Sequence, residues 1–472
     1  MYIPSRLSRF RIVFSLFAVI FFCLILRLLF IHFSRGEYLN NLAQRQHSFF
    51  TELKPRRGRI FDRNLRLQAL SLASASLYAV PSKIEKKKSL AKRLSRVLGR
   101  DSDYFLRRLR RKKSFIWLAR KISDRDAENI KGWGVSGLGF VRENKRRYPN
   151  NELAGHILGF SGMDDRGLEG LELRYDSYLR GEPGWYRSIK DARRRPLLID
   201  ERLVPARDGY DLVLTVDEII QFIAEEELDK AYRKSQARVA MLIIVNPNNG
   251  EVLALANRPT FDLNKAGRVD GSARRNRAVT DYFEPGSVFK VVTAAAALEE
   301  NAFSEDDRFF CENGRYRVGG HILHDYKPHG WLTFREVISE SSNIGVVKIA
   351  QKLGPGVIYD YARRFGFGAL SGIDSYGETR GVLRPPAKWS GTSISAVPIG
   401  QEVCVTALQL AGMISAVANG GLLYRPHLVR MIQDKRGEII REFKPQVARR
   451  VISQDTARRM RGILADVVND GT

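Results

Sequence analysis

The sequence predicts an α+β protein of several domains, anchored by a single amino-terminal transmembrane helix. Three observations lead to this prediction. The chain has 472 residues, which is too long for one ordinary domain. An uncharged apolar run fills residues 12–26. Beyond it, strand patterns and turns are followed by a nearly all-apolar helical stretch, so strands and helices share one body.

The amino-terminal apolar run is long enough to cross a membrane. Residues 12–26 are uncharged, and Leu28–Ile31 extend the run if the charged end of Arg27 reaches the interface. Three arginines and no acidic residue precede it: Arg6, Arg9 and Arg11. This bias favours a cytoplasmic amino terminus and an extracytoplasmic body. Because no small-x-small cleavage pattern follows, we expect a cytoplasmic tail at 1–11 and an uncleaved anchor at 12–33 rather than a signal peptide.

The chain is strongly basic, with a formal net charge of +26. Residues 83–121 hold sixteen Lys and Arg against three acidic residues, and so contribute +13 of this excess. Four apolar residues in this stretch recur at helical spacing: Leu90, Leu94, Val97 and Leu98. The pattern predicts an amphipathic helix with a solvated basic face, and a specific polyanion site is the alternative. Outside the cytoplasm, lipid headgroups or wall polymers are the expected counterparts, and no nucleic acid is expected.

No cofactor, metal or disulfide is expected. Cys23, Cys311 and Cys404 are odd in number and far apart, so they form no disulfide framework. His321 and His324 lie three residues apart but lack a third metal ligand, so they are interpreted as polar loop residues.

The body after the anchor divides at about residue 204. The first part, 34–204, is basic and irregular, with strand-like stretches at Leu77–Val80 and Phe115–Leu118. The second part, 205–472, opens on an alternating strand pattern followed by a helical one. These and the next elements are predicted at Asp211–Val216, Asp217 to about Arg233, Ala240–Val245 and Glu251–Asn257. The last two are separated by a turn that ends in Gly250, which predicts a hairpin.

The sharpest chemical signal is a serine placed before an apolar helix. Pro285 and Gly286 mark a turn, and Val288–Leu298 then form a nearly all-apolar helical stretch. Ser287 is therefore expected at a helix amino terminus, where N–H groups favour developing negative charge. Lys290 lies one turn later, and burial should lower the pKa of its amine, which makes it a base for serine activation.

Spacing alone is weak support for a catalytic pair. Ser89 and Lys92 have the same S-x-x-K spacing in the basic region, without the turn or the apolar helix, and this match is attributed to chance. For Ser287 and Lys290 the structural alternative is a helix-capping serine beside a lysine that extends to solvent.

A second polar element lies within a predicted helical run from Thr333 to Leu353. Ser341, Ser342 and Asn343 form S-x-N, the pattern that accompanies S-x-x-K in β-lactamases and penicillin-binding proteins. A hydroxyl there can relay a proton to a leaving amine, and a carboxamide can hold both a substrate amide and Lys290.

Further motifs run through nearly the whole chain. They are Arg57–Asn64, Arg147–Pro149, Ala154–Phe160, Gly167–Glu172, Pro398–Gln401, Thr406–Ala411 and Ala418–Gly421. Together with the two polar elements they resemble the class B penicillin-binding proteins, the monofunctional D,D-transpeptidases, and most of all the division (FtsI-like) type. Leu65 departs from the family pattern, which usually has Gly after DRN.

The resemblance implies both a fold and a set of site residues. It implies an elongated, β-rich pedestal (dimerisation-type) domain at 34–204. A penicillin-binding/β-lactamase-like transpeptidase domain, an antiparallel sheet flanked by helices, should follow at 205–472. Ser287 would be the nucleophile, Lys290 its base, Ser341 the proton relay and Asn343 the substrate-orienting amide. Glu284, Gly286 and Ser342 are further expected substrate contacts.

The implied reaction is acyl transfer on the D-alanyl-D-alanine end of a peptidoglycan stem peptide, in septal wall synthesis. β-Lactams would acylate the same serine. The expected partners are nascent stem peptides, the cytoplasmic membrane, a SEDS-type (FtsW-like) glycosyltransferase and other division proteins.

The family's third motif, Lys-Thr/Ser-Gly on a strand that lines the cleft, does not occur in these residues. Without it the site lacks the cation for the substrate carboxylate and an oxyanion donor, a loss of about 3–4 kcal/mol of barrier lowering. The last strands of the sheet would also be missing, which leaves edges and core faces uncovered. We therefore expect a fragment of a longer product that is inactive as it stands, with a true truncation as the alternative.

Three other functions stay open at this point. A D,D-carboxypeptidase or β-lactamase would use the same serine with water as the acceptor. A non-catalytic scaffold would recruit wall-synthesis proteins through its anchor and pedestal. A membrane-tethered polyanion binder would use the basic stretch and be indifferent to Ser287. Division and elongation roles also share all these motifs.

Overall fold

The computed structural model describes residues 6–190, 196–197, 203–318 and 320–469. Its first element is a 42-residue helix, α1 (Arg6–His47). Within it, Phe10–Arg35 has a mean hydropathy of 2.8 and is long and apolar enough to cross a membrane. At 1.5 Å per residue this segment is about 39 Å long, against about 30 Å of bilayer hydrocarbon. By length and composition, the helix agrees with the predicted anchor at 12–33.

The chain groups into two compact units. One consists of Met1–Pro55 and Glu182–Arg207, and the other of Arg56–Gly181 and Asp208–Thr472. The predicted division cuts the chain once, between residues 204 and 205, whereas each of these units consists of two separate segments of the chain. That division therefore stays a prediction.

Strands and helices alternate irregularly, as expected for an α+β protein. The strands are β1 (Ser48–Leu53), β2 (Ile60–Phe61), β3 (Leu67–Ala79), β4 (Ile116–Ile122), β5 (Leu138–Arg147), β6 (Gly184–Lys190), β7 (Pro196–Leu197), β8 (Leu203–Val204), β9 (Asp211–Leu214), β10 (Ala240–Val245), β11 (Val252–Arg258), β12 (Arg308–Phe310), β13 (Arg315–Val318), β14 (His321–His324), β15 (Trp331–Thr333), β16 (Leu422–Tyr424), β17 (Val429–Gln433), β18 (Ile439–Glu442) and β19 (Val447–Arg450). The helices after α1 are α2 (Lys87–Leu98), α3 (Ser102–Leu109), α4 (Asp124–Lys131), α5 (Gly155–Leu158), α6 (Gly170–Arg174), α7 (Asp176–Leu179), α8 (Glu218–Ser235), α9 (Gly271–Arg274), α10 (Arg277–Thr280), α11 (Lys290–Glu299), α12 (Phe334–Ser339), α13 (Asn343–Leu353), α14 (Pro355–Arg364), α15 (Ser393–Ala396), α16 (Ala407–Ala418) and α17 (Gln454–Asn469).

The largest sheet joins distant parts of the second unit. Seven strands pair in the order β18-β17-β9-β2-β3-β4, with β5 also paired to β3. All neighbours are antiparallel except β2 and β9, which run parallel. In the first unit, β1, β7 and β8 all pair with β6.

A buried ionic network links Arg57, just before β2, and Arg146, on β5, to Glu172 on α6. Glu172 is fully buried and accepts hydrogen bonds from Arg57 Nε at 2.5 Å and Arg146 Nε at 2.6 Å. Tyr148 also donates to Glu172 at 3.2 Å, and Arg57 bridges to Asp176 at 2.6 Å. Because a carboxylate is costly to bury, the two guanidinium groups are what allows Glu172 to stay ionised there.

The basic stretch forms the amphipathic helix that its spacing predicts. In α2, Leu90, Ala91 and Leu94 are buried, and α3 buries Phe105 and Leu109. Most of the basic residues between 86 and 113 are exposed. The solvated basic face is confirmed, and it requires no bound polyanion.

The strand and helix pattern after residue 210 is also confirmed. Helix α8 begins after Asp217, whose side chain caps it, and β10 and β11 form an antiparallel hairpin. Among the described residues, β10 has no strand on its other edge. Three apolar side chains of α8 are more than half exposed: Ile219 (51%), Phe222 (57%) and Ile223 (53%).

The second half of this unit is built around α11. Its residues from Lys290 to Leu298 are all buried, in a core shared with α13, α14, α16 and α17. The predicted helix from Thr333 to Leu353 is not continuous, because α12 ends at Ser339 and α13 begins at Asn343. The intervening Ser341 has φ +54°, which an α-helix does not allow.

Candidate active site

A tight turn presents Ser287 at the start of α11. Gly286 has φ +57°, and a 3₁₀ turn over Gly286–Phe289 leads into the helix. The Gly286 N–H donates to the Gly400 carbonyl at 3.2 Å. A Cβ at Gly400 would lie 2.1 Å from the Gly286 carbonyl oxygen, so only glycine fits there. Ser287 is exposed at this helix amino terminus, as the sequence predicts.

Lys290 is buried one turn below Ser287. It is 2% exposed, in a helix whose other side chains are almost all apolar. Burial lowers the pKa of the Lys290 amine to about 8, and the negative charge of Asp325 opposes this shift. The ammonium form is therefore disfavoured relative to a lysine in water, as predicted from the apolar sequence.

The Lys290 amine contacts the S-x-N segment. Its Nζ donates to the Ser341 carbonyl at 2.5 Å and to Ser341 Oγ at 3.1 Å. Among the described residues, the Ser287 hydroxyl has no hydrogen-bond partner. Ser287 and Lys290 lie one turn apart, as predicted. Among the described residues, however, no hydrogen bond joins their side chains, and Lys290 contacts Ser341 instead. Hydrogen bonds of this kind often tighten only when substrate binds.

The break between α12 and α13 sets the position of Ser341. Thr333 and Glu336 form a capping box at the start of α12, and Ser342 caps α13 by accepting from the Gly345 N–H at 3.0 Å. Ser341 is left between the two helices with its hydroxyl on Lys290. A continuous helix would have placed these polar groups differently, so the break is what builds the site.

Asp325 organises this turn and was not singled out as a site residue by the sequence. Its Oδ1 accepts from the N–H groups of Asn343 at 2.6 Å and Ile344 at 3.0 Å. Its Oδ2 accepts from Ser342 Oγ at 2.7 Å. A carboxylate at a helix amino terminus is favourable, and here it fixes the S-x-N turn. No local sequence signal could have found it, because its partners lie 17 to 19 residues away.

Asn343 lies at the edge of an open cavity. Its side-chain amide donates to the His324 carbonyl at 2.9 Å. The cavity, of about 480 Å³, is also lined by β14 and by Thr392, Ser395, Ala396, Ile399, Gln401 and Glu402. Among the described residues, no hydrogen bond joins Asn343 to Lys290, so that predicted contact is absent, and the substrate-orienting role of Asn343 stays a prediction.

The three residues predicted to contact substrate, Glu284, Gly286 and Ser342, have different positions in the structure. Ser342 is 1% exposed, and its hydroxyl is engaged by Asp325 and by the start of α13. A direct substrate contact by Ser342 therefore does not fit its position, and we assign it a capping role instead. Glu284 is exposed and accepts from the Glu402 N–H at 2.9 Å, whereas Gly286 shapes the turn before Ser287.

The chain is similar to two known protein domains. Residues 240–472 match the penicillin binding protein transpeptidase domain, and residues 52–214 match the penicillin-binding protein dimerisation domain. Stage V sporulation protein D of Bacillus subtilis is 35% identical over 466 residues, which cover 97% of this chain and 72% of that protein. The chain belongs to the penicillin-binding proteins.

Other relatives of this penicillin-binding protein agree. Peptidoglycan D,D-transpeptidase FtsI of Escherichia coli K12 is 31% identical over 377 residues, or 78% of this chain and 63% of that protein. Penicillin-binding protein 3 of Mycobacterium tuberculosis, solved in complex with aztreonam, superposes with a TM-score of 0.66 at 28% identity, and covers 89% of this chain and 76% of that one. The predicted family and fold class are confirmed.

Proposed function

We propose that this penicillin-binding protein transfers acyl groups from D-alanyl-D-alanine stem peptides through an ester on Ser287. The observation that carries the proposal is the Lys290–Ser341 contact beneath an exposed serine. A buried amine with a pKa of about 8 is neutral in about a tenth of the molecules at pH 7. It can therefore accept the Ser287 proton at physiological pH.

The proposed steps use four side chains. Lys290 removes the proton of Ser287, and the oxygen attacks the penultimate D-alanine carbonyl. The N–H groups at the start of α11 favour the oxyanion that forms. Ser341 passes the proton from Lys290 to the departing D-alanine amine, while Asn343 orients the peptide amide. An amine from a neighbouring stem peptide then resolves the ester to give a crosslink.

The surroundings of the reaction are part of the proposal. The apolar segment Phe10–Arg35 would hold the protein in the cytoplasmic membrane, with its amino terminus inside and the catalytic part outside. A SEDS-type (FtsW-like) glycosyltransferase would supply glycan strands, and division proteins would locate the enzyme at the septum. The FtsI relative supports the division role. β-Lactams would trap Ser287 as a stable ester.

A fluorescent penicillin tests the nucleophile directly. The full-length gene product should be labelled covalently, and Ser287→Ala should abolish the labelling. Ser89→Ala is the matched control, because Ser89 and Lys92 have the same spacing on the basic helix α2. Labelling that survives Ser287→Ala would refute the assignment of the nucleophile. Product analysis with a pentapeptide donor and an amine acceptor then separates crosslinking from hydrolysis.

A further inference from the structure

The lining of the cavity beside Asn343 carries a net negative formal charge. Its lining includes His321 and His324 on β14, and also Thr392, Ser395, Ala396, Ile399, Gln401 and Glu402. Among the described residues that line it, Glu402 carries the only formal negative charge, and none is Lys or Arg. The cavity should therefore favour a cationic group and disfavour a carboxylate.

The Glu402 carboxylate is held in place. Ser393 is buried, and its Oγ donates to Glu402 Oε2 at 2.7 Å. The Glu402 N–H donates to Glu284 Oε1 at 2.9 Å. Glu402 also has φ +57°, a conformation that a residue with a side chain adopts at a cost. These contacts consequently hold the Glu402 carboxylate at the cavity wall.

This wall is close to the proposed nucleophile. The segment before Ser287 runs beside the Glu402 segment, since Phe283 pairs with Val405 and Gly286 donates to Gly400. On the other side, Asn343 lines the same cavity. Asn343 of the S-x-N turn and Glu402, whose segment runs beside the one before Ser287, thus line the same cavity.

We infer that this cavity is the acceptor subsite, and that Glu402 binds the ammonium group of the incoming stem peptide. The inference rests on the proposed function. The donor peptide ends in a carboxylate, which the Glu402 charge would repel, whereas the acceptor brings a side-chain amine that is an ammonium ion in water. Glu402 therefore selects an amine over water as the acceptor.

Acyl transfer to the bound acceptor needs only its amine, Ser287, Lys290 and solvent. The bound ammonium releases one proton to solvent and becomes a free amine. Its nitrogen attacks the ester carbonyl, an amide bond forms and the bond to Ser287 Oγ breaks. The second amine proton passes through Lys290 to Ser287 Oγ, which restores the hydroxyl.

Binding of a short acceptor peptide tests the inference without requiring turnover. The probes are alanyl-γ-glutamyl-lysine and the same peptide acetylated on Nε, titrated into the whole chain in detergent by isothermal calorimetry. We expect the free amine to bind about fivefold more tightly than the acetylated form, in keeping with a partly exposed ion pair. Glu402→Gln should remove that difference. A preference that persists in Glu402→Gln, or no preference in the wild-type chain, overturns the inference.

Two further variants separate charge from folding. Glu402→Gly keeps the left-handed backbone without strain, so it should fold and behave like Glu402→Gln. Glu226→Gln removes one exposed carboxylate on α8, outside the cavity, and should keep the fivefold preference. Penicillin labelling of Ser287 in the wild-type gene product is scored separately. Amine preference without labelling would retain the subsite and reject the proposed nucleophile, and labelling without amine preference would do the reverse.

Discussion

Lys290 and Ser341 are joined twice, through the Ser341 carbonyl at 2.5 Å and the Ser341 hydroxyl at 3.1 Å. The two residues are 51 positions apart in the chain: Lys290 begins α11, whereas Ser341 lies between α12 and α13. One end of the contact is a buried amine and the other is a backbone turn with φ +54°. Proton transfer to and from Lys290 should therefore depend on whatever holds that turn.

The charge of Asp325 is expected to set the protonation of Lys290. It raises the pKa of the amine against the effect of burial, which brings it down to about 8. Asp325→Asn keeps an oxygen for the Asn343 and Ile344 N–H groups but removes the charge, so the Lys290 pKa should fall further. The measurement is a ¹³C NMR titration of lysine-labelled protein, with Lys290→Arg to assign the resonance. Glu226→Gln, on exposed α8, should leave the midpoint unchanged. An unchanged or higher midpoint in Asp325→Asn would show that Asp325 acts only through its hydrogen bonds.

Gly400 is expected to tolerate no side chain. Its Cβ would lie 2.1 Å from the Gly286 carbonyl, and its φ is +79°. Gly400→Ala should therefore displace the turn that carries Ser287, lower the free energy of unfolding by about 1–3 kcal/mol and slow penicillin labelling. Gly391→Ala is the matched control, because a Cβ there meets no atom within 4 Å. Thermal denaturation of both variants checks the difference, and equal melting temperatures would contradict it.

The sequence predicted those parts of the site that depend on local spacing. Ser287 and Lys290 are three residues apart on one apolar segment, so a helix necessarily puts them near one another. The hairpin β10–β11 was likewise predicted, because both strands and their turn are contiguous in the chain. Elements whose residues are close together in the chain are therefore predicted correctly from local patterns.

Contacts between residues far apart in the chain could not be predicted from these local patterns. Nothing near Asp325 indicates that it binds the N–H groups of a helix start 18 residues later. The helix break at Ser341 was missed for a related reason, since the residues from Thr333 to Leu353 have good helical periodicity and the break is stabilised by Asp325 from outside. The parallel pairing of β2 with β9 also joins residues about 150 positions apart. Such contacts are decided by tertiary packing rather than by propensity.

Ser341 is expected to separate catalytic from backbone effects. Its φ of +54° is unfavourable for any residue with a Cβ but not for glycine. Ser341→Gly should therefore be more stable than Ser341→Ala by about 0.5–1 kcal/mol, although both lack the proposed relay hydroxyl. Both should lose product release from a pentapeptide donor to a similar extent. If Ser341→Gly kept normal turnover, the hydroxyl would not be the relay.

Glu172 is expected to be essential for the buried ionic network. Although burial alone would raise its pKa, the charges of Arg146 and Arg57 hold the pKa of Glu172 below its ordinary value. Glu172→Gln removes the counter-charge of the buried Arg146 and leaves Arg57 with Asp176 alone, so it should lower the free energy of unfolding by about 3–5 kcal/mol at pH 7. Because the folded pKa is lowered, the stabilisation by Glu172 is present above the unfolded value of about 4.3 and is lost as pH falls through the folded pKa. Urea denaturation at pH 7 and pH 3.5 should thus show a smaller gap between wild type and Glu172→Gln at the lower pH. The exposed Glu226→Gln should show no gap at either pH. A gap that is equally large at both pH values would mean that Glu172 stabilises the fold through packing and not through its charge.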